Sequence, residues 1–274
     1  GAWEAALAKV LSSGDEILVL NSGRFAEAWG KMADMMNLGV QVLPQDWRHA
    51  VESEAVETYL RDDREGRIKA VLVVQVDTAS GVVNDIQAIV AAVRAAGHDA
   101  LVMVDTIASR ATMPFRMDDW GVDIAVGGSQ KGLMLPPGLS FNAVSKKALE
   151  ASAGLNLPSS YWDWQDVLNA NKEGVFPYTP ATNLLYGLRE AIRMLLEEGL
   201  DQVFSRHHRL ADATRAAAEA WELELNALNP GEYSKSLTAV LLPQGHNSDE
   251  FRKVVLEKFN VSLGNGLGKL SGKL

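Results

Sequence analysis

The stretch Ile124-Ala-Val-Gly-Gly-Ser-Gln-Lys-Gly-Leu-Met-Leu-Pro-Pro-Gly138 begins as an apolar strand and breaks into glycines and small polar residues, with one lysine at the turn. Its opening residues show no polar alternation, which fits a strand buried on both faces, as in a parallel sheet. Gly127 and Gly128 carry no Cβ, so the backbone there can come close to a ligand. Ser129 and Gln130 bring hydrogen-bond donors suited to a phosphate. The following Leu133 to Pro137 are apolar and are expected to shield the Lys131 amine from water, which favours its uncharged, nucleophilic form.

Outward from this stretch the same texture repeats. Glu16 to Leu20, Lys69 to Gln75, Ala100 to Val104 and Val122 to Val126 read as buried strands rich in Val, Ile and Leu. Amphipathic helices are predicted between them at Trp3 to Leu11, Arg24 to Met36, Ser53 to Arg64 and Asp85 to Ala96, the last closed by Gly97. Alternation of this kind predicts an α/β fold: a mostly parallel sheet sandwiched by helices. Ligands of such sheets sit at the carboxyl ends of the strands. Asp105, at the end of Ala100 to Val104, and the Gly127 to Lys131 segment both fall there. A third strand mouth, Asp77-Thr-Ala-Ser-Gly-Val82, offers Thr78 and Ser80.

After about Gly199 the pattern changes. Long helices at Leu184 to Glu198 and Leu200 to Leu228 lead to Ser236 to Leu242, a helix at Asp249 to Phe259 and a glycine-rich end. The expected division is a large domain over 1–198 and a small α+β domain over 199–274.

The composition narrows the function classes. A 274-residue chain that is 47% hydrophobic has ample material for a core, and a net charge of −9 disfavours nucleic acid or an anionic membrane as partner. With no cysteine, disulfides and thiol nucleophiles are excluded. The apolar runs are of strand length, short of the roughly 20 residues of a membrane helix, and a cytoplasmic location is the default expectation.

An acid and an amine expected to be buried at two strand mouths are what a pyridoxal phosphate site requires. The amine joins the aldehyde, and the acid keeps the pyridine nitrogen protonated so that the ring accepts electrons. An acid at the end of an apolar strand is costly to bury without a facing cation, and a pyridinium would supply one. Each residue also has an ordinary reading. Lys131 could be a loop lysine, and Asp105 a turn former. In Phe176-Pro-Tyr-Thr-Pro-Ala-Thr182, Thr179 and Thr182 could be helix caps or part of a loop reaching a neighbouring subunit. Tyr161-Trp-Asp-Trp164 reads as a packing cluster or subunit contact, and His207 and His208 as a solvated helix face without metal-ligand spacing. Gly264-Asn-Gly-Leu-Gly268 lacks the βαβ context of a dinucleotide loop.

Val104 to Ser109, Gly127 to Gly138 and Phe176 to Arg189 together resemble the class V aminotransferases, and most closely their serine–, alanine– and aspartate–glyoxylate branch. The resemblance runs through nearly the whole chain, and Ser-Gln-Lys-Gly followed by Pro-Pro-Gly is its most specific part. It implies a fold type I homodimer with pyridoxal 5′-phosphate shared between subunits. By position, Lys131 would be joined to the cofactor and move the substrate α-proton, and Asp105 would pair with the pyridine nitrogen. Ile107 would cover one ring face and Phe25 the other. Thr78 would approach the ring hydroxyl. Gln130, with Ser129, would bind phosphate, and Thr179 would reach it from the neighbouring subunit. Phe176 stands where relatives can have a tyrosine, which removes a hydroxyl contact. The resemblance also leads one to expect a phosphate loop at or before Gly1 and a carboxylate-clamping arginine beyond Leu274, so no residue here is given that last role. Small amino acids and 2-oxo acids are the implied substrates. The rivals are another pyridoxal phosphate reaction, such as a β-lyase, or a non-catalytic metabolite-binding protein.

Overall fold

The computed structural model describes residues 1–153 and 160–274. Its centre is a six-stranded sheet of β1 (Glu16–Asn21), β2 (Gly39–Pro44), β3 (Ile68–Val74), β4 (Leu101–Asp105), β5 (Ile124–Gly128) and β6 (Ser140–Val144), in the spatial order β2-β1-β3-β4-β5-β6. The first five run parallel, and β6 returns antiparallel along β5, pairing Gly128 with Ser140 and Ile124 with Val144. The mostly parallel sheet expected from the apolar strands is what forms.

Both faces of the sheet are covered, which accounts for strands without polar alternation. Ile17, Val19, Leu72, Met103 and Val126 pack on one side against α1 (Ala2–Val10) and α2 (Arg24–Met35). Leu18, Val71, Val73, Val102 and Val104 pack on the other against α3 (Ser53–Asp62) and α4 (Ile86–Ala95). In α4 the residues Ile86, Ile89, Val90 and Val93 make one buried stripe at helical spacing. The helix starts where the Asp85 side chain accepts the Ala88 N–H at 3.0 Å, and it ends at Gly97, whose φ of +67° favours glycine.

Beyond this layer lie α5 (Met117–Trp120), α6 (Lys146–Ala151), α7 (Trp164–Lys172), α8 (Thr182–Glu198), α9 (Leu200–Ala220) and α10 (Ser248–Phe259), with a two-stranded pair β7 (Glu224–Leu225) and β8 (Val240–Leu241). The helix expected to run to Leu228 stops at Ala220. Glu222 takes a φ of +56° and turns the chain, which then pairs as β7. Of the apolar run Ser236 to Leu242, only Val240–Leu241 is strand. Polar ties hold this late segment to the sheet: the Asn226 amide donates to the carbonyls of Trp47 and Ser80, both at 2.8 Å. Strands β2 and β6 do not follow from the apolar pattern, because both are edge strands with half-exposed residues.

Candidate active site

Strand order reverses at β1, whose chain passes first to β2 on one side and then to β3 on the other. The carboxyl ends of neighbouring strands at such a point frame a crevice. A cavity of about 540 Å³ opens there, within the range of small-molecule sites. Gly1, Phe25, Thr78, Asp105, Ile107, Gln130 and Lys131 all line it, together with Trp3. Residues separated by up to 130 positions therefore meet because the strand ends do.

Asp105 closes β4 and is 3% exposed. Its Oδ1 accepts the Ile107 N–H and its Oδ2 the Trp3 indole N–H, each at 2.7 Å. Burial pushes its pKa up to about 6, against the Ile107 N–H and the Trp3 indole, which pull it down; the nearby Asp77 carboxylate adds to the rise. Trp3 is held in turn, stacked on Trp29 with ring centroids 5.6 Å apart and meeting the Phe25 ring edge-on at 6.3 Å.

Phe25 is set by a buried acid that sequence reasoning treated only as part of a turn. Asp77 Oδ2 accepts the N–H groups of Phe25 at 2.8 Å and Ala26 at 3.1 Å, capping α2 from across the sheet, while Oδ1 accepts Ala79 N–H at 3.0 Å. Burial raises the Asp77 pKa, and these three donors oppose the rise. Gly23 is needed for this contact, since a Cβ on it would sit 2.1 Å from the Asp77 carboxyl carbon.

The lysine lies in the hairpin between β5 and β6. The Ser129 hydroxyl does not line the cavity as a phosphate donor would. It is buried, donates to the Pro136 carbonyl at 2.8 Å and accepts the Leu139 N–H at 3.2 Å, so it braces the hairpin. The expected shielding of the amine also fails: Lys131 is exposed, because of the following apolar residues only Leu135 is buried. The glycines serve packing as well as access. A Cβ on Gly127 would stand 2.8 Å from the Arg110 guanidinium and one on Gly128 2.9 Å from the Gln130 amide oxygen. Arg110, absent from the sequence-based site, hydrogen-bonds the Thr106 hydroxyl, and burial lowers its pKa.

Thr179 lies elsewhere, in the exposed loop 174–180. Neither Thr179 nor Thr182 caps α8, since its N-cap is Ala181 and the Thr182 hydroxyl bonds the Pro180 carbonyl. The Tyr161–Trp164 cluster does pack, with Trp162 against Gly1 and Tyr161 against Tyr178. His207 departs from the solvated-face reading. It lines a second cavity of about 340 Å³ with Thr78, Thr112, Lys131, Arg206 and Ser236, and burial, followed by the charge of Arg206, lowers its pKa. Lys131 and Thr78 border both cavities.

The family model for aminotransferase class V matches residues 2–268. The chain belongs to the class V aminotransferases. It is 44% identical to a serine–glyoxylate aminotransferase of Methylorubrum extorquens, over all of this chain and 69% of that protein. It is 41% identical to an L-aspartate–glyoxylate aminotransferase of Paracoccus denitrificans, again over all of this chain and 69% of the other. An alanine–glyoxylate aminotransferase structure from Nostoc sp. superposes with a TM-score of 0.91 at 29% identity, covering 99% of this chain and 71% of that one. This class V chain is therefore an aminotransferase of fold type I, with pyridoxal phosphate as cofactor.

The donor set fits that group. A buried carboxylate whose hydrogen bonds come only from neutral N–H groups faces the cavity that an amine also lines, and a buried acid so placed calls for a cationic partner. Phe25 and Ile107 bring apolar walls, and Gln130 and the first residues of α1 bring polar donors, as an aromatic ring bearing a phosphate requires.

Proposed function

We propose that the protein transfers the amino group of a small amino acid (serine, alanine or aspartate) to glyoxylate, giving glycine and a 2-oxo acid. The observation that carries this reading is Lys131 and Asp105 lining one cavity at the strand ends of a class V aminotransferase whose relatives act on glyoxylate by name.

When bound, the cofactor supplies an electron sink conjugated to the substrate Cα. Lys131 would hold the cofactor, and its amine, lining the same cavity, would be the base that takes the substrate α-proton and gives it back. A positioned amine of this kind contributes roughly 10²–10⁴-fold. Asp105 would hold a proton on the ring nitrogen. Ile107 and Phe25 would wall the ring, and Thr78 would offer its hydroxyl to the ring oxygen. Gln130 and the amides at the start of α1 would donate hydrogen bonds to the phosphate. Thr179 joins them from a second subunit, so the working unit is a homodimer with shared sites. A cytoplasmic location belongs to the same proposal and is checked by fractionation against a soluble marker; among the described residues no helix is long and apolar enough to cross a membrane.

A half-reaction screen tests the reading. Each amino acid is added to the purified holoenzyme, and loss of the visible band of the lysine-linked cofactor is followed. Glyoxylate is then added, and return of the band with formation of glycine is the expected result. A holoenzyme that is converted by amino acids but not restored by glyoxylate would overturn the assignment of the acceptor.

A further inference from the structure

We infer that Trp3 is a positioning residue for Asp105: its indole N–H fixes the carboxylate plane and holds the acid in the charged form that faces a protonated ring nitrogen. The geometry is specific. The indole plane is locked by stacking on the fully buried Trp29, with an interplanar angle of 12°, and by the edge of Phe25. Rotation that would break the 2.7 Å contact to Oδ2 is thereby blocked. That length is typical of a hydrogen bond to an ionised acceptor. The Ile107 N–H takes the other oxygen, so two donors at two oxygens define the plane while each oxygen keeps a further lone pair.

The placement of α1 supports the same role. Its first residues line the cavity, and the Asn142 amide on β6 donates to the Ala2 carbonyl at 3.2 Å, so the helix start is pinned beside the site. The charged group acting on Asp105 is Asp77, beyond the end of β3, and Lys131, in the β5–β6 hairpin, lines the same cavity; both are on elements other than α1. Asp77 disfavours ionisation of Asp105, and Trp3 opposes this with a neutral donor that adds no charge to the site.

Three measurements test the inference. In the cofactor-free protein, the indole N–H resonance of Trp3 should follow the ionisation of Asp105 near pH 6, and Asp105→Asn should abolish that titration. In Trp3→Phe, which keeps a ring but loses the donor, the infrared titration of isotope-labelled aspartate should move up by about one pH unit. Pyridoxal phosphate affinity of Trp3→Phe relative to wild type should then fall about tenfold below the midpoint and converge by about pH 8. An indole resonance that ignores pH in the wild-type protein would overturn the inference, as would an affinity loss that is the same at every pH. These readings concern the cofactor-free protein and cofactor binding, so they stand whichever oxo acid is the acceptor.

Discussion

The proposed function asks Lys131 and Asp105 to do opposite things with a proton, and the structure gives them opposite settings. The amine stands exposed between two cavities, while the acid is sealed at the end of an apolar strand. Lys131→Ala should abolish the borohydride-sensitive link to the cofactor and lower transamination by at least about 10²-fold, read by amine-donor assay with saturating cofactor. Asp105 also leaves a signature in the cofactor-free protein. Its folded pKa, about 6, lies above the ordinary carboxylate value of 3.8, so the folded state binds the proton more tightly. The contribution of this group to stability is therefore present below the unfolded value and is lost as pH rises from about 4 to about 6. The melting temperature of wild type minus that of Asp105→Asn should fall across that window and flatten above it. The meeting of Lys131 and Asp105 at one cavity was legible in the sequence because Asp105 ends β4 and Lys131 follows β5. Trp3 was not, since nothing local reveals a contact with a residue 102 positions away. Ser129 misled for a related reason: the hydroxyl stood in the right loop, but the hairpin needed it as a brace.

Elements were legible in proportion to their burial. The strands β1, β3, β4 and β5 were found because burial on both faces demands continuous apolar residues, whereas β2 and β6 owe their existence to pairing with a neighbour. Tertiary context decides such edges more than propensity does. The N-terminus of α2 shows the same dependence. Its first N–H groups are capped by Asp77, which lies 52 positions from Phe25. Asp77→Ala should cost about 2 kcal/mol by denaturant unfolding, from lost capping and unsatisfied buried donors. Gly23→Ala should do similar damage by pushing Asp77 aside. The two substitutions together should cost much less than their sum, because both break one contact. Full additivity would show that the cap is not what Gly23 protects.

At the scale of the whole molecule, the large and small domains proposed over 1–198 and 199–274 rest on the change of sequence pattern after Gly199, and the proposed shared-site homodimer rests on the family. One feature of the fold is consistent with a dimer: Phe176, Tyr178 and Thr179 are exposed in the loop 174–180, and Tyr161, 61% exposed, packs on Tyr178 beside it. If Thr179 serves the neighbouring subunit, Lys131→Ala and Thr179→Ala proteins should each be impaired alone. Refolded together in equal amounts, they should recover about a quarter of wild-type activity, since half the dimers are hybrids with one intact site. No recovery from two impaired proteins would place Thr179 in its own subunit's site. This arrangement could not be read from spacing along one chain, because sequence separation says nothing of a second copy.

The return of β6 along β5 has a further consequence. Since Gly128 pairs directly with Ser140, the Lys131 amine hangs from a loop whose two feet are bolted to the same rung of the ladder. Its reach is therefore a matter of loop length: removing or adding a single residue between 129 and 139 would misplace Lys131, or else slip the register and turn the inward residues of β6 outward. Insertions and deletions should accordingly be far better tolerated in the exposed 174–180 loop than in the hairpin, where the residue count sets where the amine stands.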